Sequence, residues 1–157
     1  MSLNQINEQQ LEQLIRQILS EQINQGASKG KDFVCHIDSS GVASVKVPTV
    51  RLDESNRLKT DKPSDRVYTK DLFTLNESPR LGCGMMEMHD TTFDWFLDYD
   101  EIDYVIEGRL SIIVDGRRIT ADKGEIVYIP KGTKIKFSVE GFARFMYVTY
   151  PADWASQ

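Results

Sequence analysis

The chain has 157 residues, 40% hydrophobic and 27% charged, with a formal net charge of −5. That composition supports a packed core and argues against global disorder, and the length suits one ordinary domain with room for an extra segment. The acidic balance argues against nucleic acid as a main partner, because phosphate binding needs a basic stripe. Two cysteines, Cys35 and Cys83, lie far apart with no CxxC pairing, which predicts reduced thiols in a cytosolic setting. No apolar run approaches the roughly 18 residues of a membrane span. The N-terminus lacks the basic-then-apolar pattern of a secretion signal. A cytoplasmic protein with no membrane partner is expected.

Residues Leu3–Asn24 read as one amphipathic helix. Leu11, Leu14, Ile15, Ile18 and Leu19 repeat at helical spacing, flanked by Ile6 and Ile23, and form a single apolar face. Asn7 suits an N-cap with Gln10 reaching back, and Gly26 suits a C-terminal stop. We set the helix at residues 1–25 and a small, polar, glycine-bearing linker at 26–41. Two readings stand. The helix folds back onto its own domain, or it seeks a partner groove, since an isolated helix of this length is marginal in water. It is also similar to the encapsulation peptides of bacterial microcompartment cargo.

The domain proper is placed at residues 42–157. Val42–Val50, broken by Pro48, reads as an edge strand or a strand with a bulge. Leu52–Asp65 is polar and reads as a surface loop. Arg66–Leu75 and Leu81–His89 read as strands, and Gly82 and Gly84 suggest a bulge or a close backbone approach rather than a phosphate loop. Alternation puts Glu87 and His89 on one face and Met86 and Met88 on the other. Further runs follow at regular spacing: Ile102–Ile106, Leu110–Val114, Ile126–Ile129 and Ile135–Val139. Asp115-Gly116 between two of them is a two-residue hairpin signal. Strands so spaced argue for an all-β sandwich or barrel.

Glu101 followed six residues later by Gly108 resembles the end of the first cupin motif. Gly124, five residues, Pro130, one residue and Gly132 resemble the second, and fifteen residues separate Gly108 from Gly124. The resemblance covers roughly Val67–Pro151 and implies an all-β fold, a single cupin jelly-roll β-barrel preceded by the helix and linker. It also has gaps. The places of the two motif-one histidines hold Trp95 and Leu97 (Asp94 and Phe96 under the longer spacing), and that of the motif-two histidine holds Ile135. Only Glu101 remains of four usual ligands, so no tightly bound transition metal is expected.

Cupin ligands point into the barrel. Period-two alternation then aligns Trp95, Leu97, Tyr99, Glu101 and Asp103 on the inner wall if no bulge intervenes. Two carboxylates on one buried face repel, so one should hold its proton unless a cation or donors compensate. Glu101 and Asp103 are therefore the candidates for acid–base work or for Mg²⁺. The alternative leaves one of them solvated at the rim. His89 with Glu87 forms a second proton-handling pair, though a lone histidine is more often structural. Lys131, Lys134 and Lys136 make a basic cluster, either a solvated strand face or a hold on a phosphate. Phe137, Phe145 and Tyr147 read as core, and Trp154 as packing back onto the barrel.

Asp90-Thr-Thr-Phe93, Tyr99–Gly108, Ile129-Pro-Lys-Gly132 and Pro151-Ala-Asp-Trp154 together resemble the EutQ-type ethanolamine-utilisation cupins of the RmlC-like superfamily. That resemblance implies a microcompartment setting, with shell or cargo proteins as partners through the helix. It implies an acetate kinase activity, making acetate and ATP from acetyl phosphate and ADP, with Mg²⁺ and nucleotide. No Walker A stretch or kinase signature is present. On that reading Glu101, Asp103 and His89 are catalytic, and Trp95, Tyr99, Glu87, Arg109 and Lys131 bind substrate. A non-catalytic docking module with a ligand-binding barrel is the alternative, and a homodimer is expected.

Overall fold

The computed structural model describes residues 11–15 and 30–156. The chain divides into two compact units, Met1–Arg51 and Leu52–Gln157. In the first, residues 11–15 are helical, and Leu11, Leu14 and Ile15 are each about half exposed. The rest of the expected helix lies outside the described residues, as do its Asn7 cap and Gly26 stop. The expected linker at 26–41 is corrected in part. Strand β1, Cys35–Ile37, falls inside it and pairs antiparallel with β2, Ala43–Val45. Pro48 then starts a 3-10 turn, Val47–Thr49, consistent with a ring that cannot donate to a ladder. The boundary between the two units falls after Arg51.

The second unit holds the barrel. Its strands are β3 (Arg66–Asp71), β4 (Gly82–Leu97), β5 (Asp100–Val114), β6 (Arg117–Asp122), β7 (Ile126–Ile129) and β8 (Thr133–Tyr150). They form one antiparallel sheet in the order β3-β4-β8-β5-β6, with β7 also paired to β5. Long β5 merges two of the runs seen in the sequence, Ile102–Ile106 and Leu110–Val114, while β4 and β8 extend the runs Leu81–His89 and Ile135–Val139. The Asp115-Gly116 hairpin joins β5 to β6, both residues having positive φ. Phe93, Phe137, Phe145, Val105, Leu110 and Ile112 fill the interior. Gly82 and Gly84 mark close approaches rather than a bulge. A Cβ on Gly84 would lie 2.0 Å from the Tyr147 hydroxyl, and one on Gly82 2.2 Å from Thr149 Oγ1. The bulge in β4 comes later, between His89 and Thr91.

The Leu52–Asp65 loop is ordered. Asp53 and Asn56 close a capping box on a short 3-10 turn. Arg57 donates to Glu54 and to the Asp65 carbonyl, and the Tyr68 hydroxyl donates to Glu54 Oε1 at 2.8 Å. These bonds hold the loop, and with it Leu58–Asp61, against β3.

Candidate active site at the barrel mouth

Glu101 and Asp103 both point inward and are 4% and 0% exposed. The alternative that one sits solvated at the rim is thereby excluded. They pair across the sheet with Thr149 and Tyr147 of β8 on one side, and with Ile129 and Val127 of β7 on the other. Among the described residues no backbone or side-chain donor bonds Glu101 Oε1 or either oxygen of Asp103, and Thr149 Oγ1 also lacks a partner. The two carboxyls interact with each other, and burial keeps them from both being ionised. Burial, the largest cause, pushes Glu101 up to about 7. Burial first, and then the Glu101 charge, raises Asp103 well above the ordinary carboxyl value.

Aromatic rings surround the pair. Trp95 Nε1 donates to the Tyr99 hydroxyl at 2.7 Å. Tyr99 packs 6.2 Å from Trp154, centroid to centroid, and Tyr147 packs edge-on to Trp154 at 5.8 Å. Asp71 on β3 accepts from the Tyr147 hydroxyl at 2.6 Å and from Trp154 Nε1 at 3.3 Å. The Tyr99 hydroxyl is raised by burial and then by Glu101, and Tyr147 by burial and then by Asp71. Both therefore stay neutral donors at physiological pH.

Glu101, with Met86, Phe93, Trp95, Tyr99 and Trp154, lines a slot of about 10 Å³, room for about one water. The slot shares Leu58, Trp95, Tyr99 and Trp154 with a wide mouth of about 570 Å³. Lys59, Asp61, Asp94, Phe96 and Asp98 complete that mouth.

The predicted inner wall of Trp95, Leu97, Tyr99, Glu101 and Asp103 is thus brought together. Lys131 stands beside it, its Nζ 3.2 Å from Asp98. Three other candidates are not brought there. Glu87 and His89 lie on the opposite face of β4 from Met86 and Met88, outside the barrel. Glu87 is bound by Arg144, and His89 is held between Tyr68 and Phe142. Neither His89, expected as catalytic, nor Glu87, expected to bind substrate, is among the residues that line the slot beside Glu101. Arg109 is exposed near the other end of β5 and forms an ion pair with Asp122 at 2.5 Å. Lys134 and Lys136 face outward, the latter on Asp94 at 2.6 Å, as a solvated strand face. Reading the sequence missed Thr149, Asp71 and Leu58–Asp61. Thr149 and Asp71 become visible only once the β5/β8 and β3/β4 registers are known, and nothing in the loop sequence marks Leu58–Asp61.

The positions that carry imidazoles in metal-binding cupins here carry Trp95, Leu97 and Ile135. Leu97 and Ile135 are buried and apolar. Among the described residues no group of three His, Cys, Asp or Glu side chains could hold a metal ion. The Glu101–Asp103 pair does not fit Mg²⁺ either. That ion keeps several waters, and the slot has room for about one.

A β-barrel whose motif-one glutamate survives without its histidine partners defines a cupin lacking the usual metal set. The cupin domain of Cnp3 from Schizosaccharomyces pombe shares the fold, at 16% identity and TM-score 0.53 over 70% of this chain and 72% of that one. The family described as "Ethanolamine utilisation protein EutQ" matches residues 6–156, and the chain belongs to it. A relative named "Acetate kinase EutQ" from Clostridioides difficile (strain 630) is 62% identical, covering 100% of this chain and 99% of that protein. One of the same name from Salmonella typhimurium is 32% identical over 97% of this chain and 65% of its own length. The solved structure of the Clostridium difficile EutQ protein aligns with TM-score 0.80 and 68% identity, over 81% of this chain and 93% of that one.

Proposed function

We propose that this EutQ-family cupin is an acetate kinase, transferring a phosphoryl group from acetyl phosphate to ADP at the barrel mouth. The observation that carries this reading is the full-length 62% identity to a relative bearing that name. In the reaction the P–O bond to the acetyl carboxyl breaks and acetate leaves. A new P–O bond forms to the terminal phosphate of ADP.

The mouth's dimensions suit that pair of substrates. A cavity of about 570 Å³ falls in the range of small-molecule sites. Trp95, half-exposed Phe96 and Trp154 offer flat faces for a base, and Lys59 and Lys131 stand where phosphate charge would lie. Beneath them the Glu101–Asp103 pair holds a proton near neutrality. The test is ATP formation from acetyl phosphate and ADP by purified protein, beside a Lys59→Ala variant. We expect turnover in the native protein and a fall of about tenfold or more in Lys59→Ala. A folded protein that makes no ATP refutes the kinase reading, and an unchanged Lys59→Ala removes the mouth from it.

The exposed Leu11, Leu14 and Ile15 favour a second, compatible reading. The N-terminal helix docks the protein onto microcompartment shell or cargo proteins, placing it in the cytoplasm within a compartment. Deleting residues 1–26 should abolish co-localisation with the shell; unaltered targeting ends that reading. Among the described residues no helix is long and apolar enough to cross a membrane. As the second partner we propose another copy of the chain. It would pair through the outer face formed by Ile102, Tyr104, Ile126 and Tyr128, all exposed and neighbours across β5 and β7.

A further inference from the structure

The carboxylate pair is costly to keep where it is. Both groups are buried, among the described residues no donor bonds Glu101 Oε1 or either Asp103 oxygen, and Thr149, opposite Glu101 on β8, also carries a hydroxyl without a partner. Unpaired buried acceptors of this kind are rare in native proteins and call for an occupant or a role. Phosphoryl transfer assigns them none, since charge repels a phosphate from two carboxylates. Four features coincide instead. The acceptors are anionic. The slot that Glu101 lines is also lined by Trp95, Tyr99, Tyr147 and Trp154, and aromatic rings attract cations. The slot has room for about one water. It opens directly into the mouth through Trp95, Tyr99 and Trp154.

We propose that the floor of the barrel is a binding site for a small primary ammonium ion. Its –NH₃⁺ head enters the slot toward Glu101 and Asp103, and its short organic body lies between Trp95, Tyr99 and Trp154. Three N–H donors match the unpartnered carboxyl oxygens of the pair, as a lysine ammonium would. A divalent ion lacks room for its waters. A quaternary ammonium has no N–H to give and is too wide for the slot. This site shares Trp95 and Trp154 with the mouth of the kinase reading, but it is read by binding and stands whether or not ATP forms.

Binding favours the ionised carboxyls and releases to solvent the proton that burial holds there, so affinity should rise with pH through neutrality. The groups facing the pair support this. Tyr99 and Tyr147 stay neutral, with Tyr147 committed to Asp71 of β3, and Thr149 does not titrate. From β7 come only Ile129 and Val127, and from β4 Met86 and Phe93. At the mouth Asp98 is paired with Lys131 and Asp94 with Lys136, while Lys59 and Asp61 also line it.

The two tryptophans of the chain, Trp95 and Trp154, both line the slot, so intrinsic fluorescence reads it directly. Titration with ethylammonium chloride at pH 8 should give a saturable change. Potassium chloride and tetramethylammonium chloride should give none at the same ionic strength. Affinity at pH 6 should be at least fivefold weaker, and Asp103→Asn and Glu101→Gln should each weaken binding tenfold or more. The pH comparison needs no variant, so misfolding of either one leaves the test intact. No saturable response in the native protein overturns the proposal. So does equal affinity at pH 6 and pH 8, binding unaffected in folded Asp103→Asn, or saturation by sodium acetate instead.

Discussion

Along β5, Glu101, Asp103 and Val105 point into the barrel at one end, and Leu110 and Ile112 do so at the other. Inward positions are odd-numbered in the first half and even-numbered in the second. Between them the pairing with β8 shifts twice, between Val105 and Glu107 and between Gly108 and Ser111. The far half follows the ordinary rule of apolar side chains in and polar ones out. The entrance half inverts it, burying two acids while Ile102 and Tyr104 stand about two-fifths exposed. Had β5 run without a break from Leu110, a strict period of two would have turned Ile102 and Tyr104 inward and the acids outward. The bulge is therefore what makes a site out of a strand. Gly108 is its pivot. It has φ +75°, and a Cβ there would meet the Phe142 carbonyl oxygen at 1.9 Å.

That contrast can be broken most forcefully at Gly108. Gly108→Ala combines a left-handed backbone with a clash against backbone rather than a yielding side chain, and should cost about 4 kcal/mol. Denaturant unfolding measures it, and a loss under 1 kcal/mol would show that the bulge does not depend on this residue. Ile112→Ala, in the ordinary half, should cost about 3 kcal/mol as a buried cavity.

The inverted half should instead show itself through pH. Glu101 keeps its proton in the fold up to about 7 but loses it near 4.5 when unfolded. Between those values the folded state binds more protons, so stability must fall as pH rises. The loss from pH 5 to pH 8 should be about 2 kcal/mol. It should be largely absent in a Glu101→Gln, Asp103→Asn double variant followed by thermal melting. A native protein that gains stability over that range would contradict the buried pair. The smallest effect belongs to Ile102→Ala, within about 0.5 kcal/mol of native in a monomer. A larger loss that depends on protein concentration would mark the outer face as the homodimer contact.

The fold was legible because turns and motif glycines declare themselves locally. Asp115-Gly116, Gly108, Gly124, Pro130 and Gly132 occupy the places expected of them. The inward register of Trp95–Asp103 was legible through the cupin resemblance and against hydrophobicity, which alone would have buried Ile102 and Tyr104. Three candidates lie away from the carboxylate pair. His89 and Glu87 are titratable and near in sequence, yet strand alternation puts them on the face opposite Met86 and Met88. Arg109 is charged but lies beyond the Gly108 bulge.

By itself the sequence determined the barrel, its turns, the absence of the histidine set and the presence of two acids at the strand that matters. Only the tertiary structure decided that both acids are buried, that Thr149 and Tyr147 stand opposite them, and that Asp71 and Leu58–Asp61 complete the surroundings. The reason is physical. A side chain's face follows from local alternation and from bulges made by glycine. Its burial and its partners depend on strands and loops many tens of residues away, whose register no local pattern encodes.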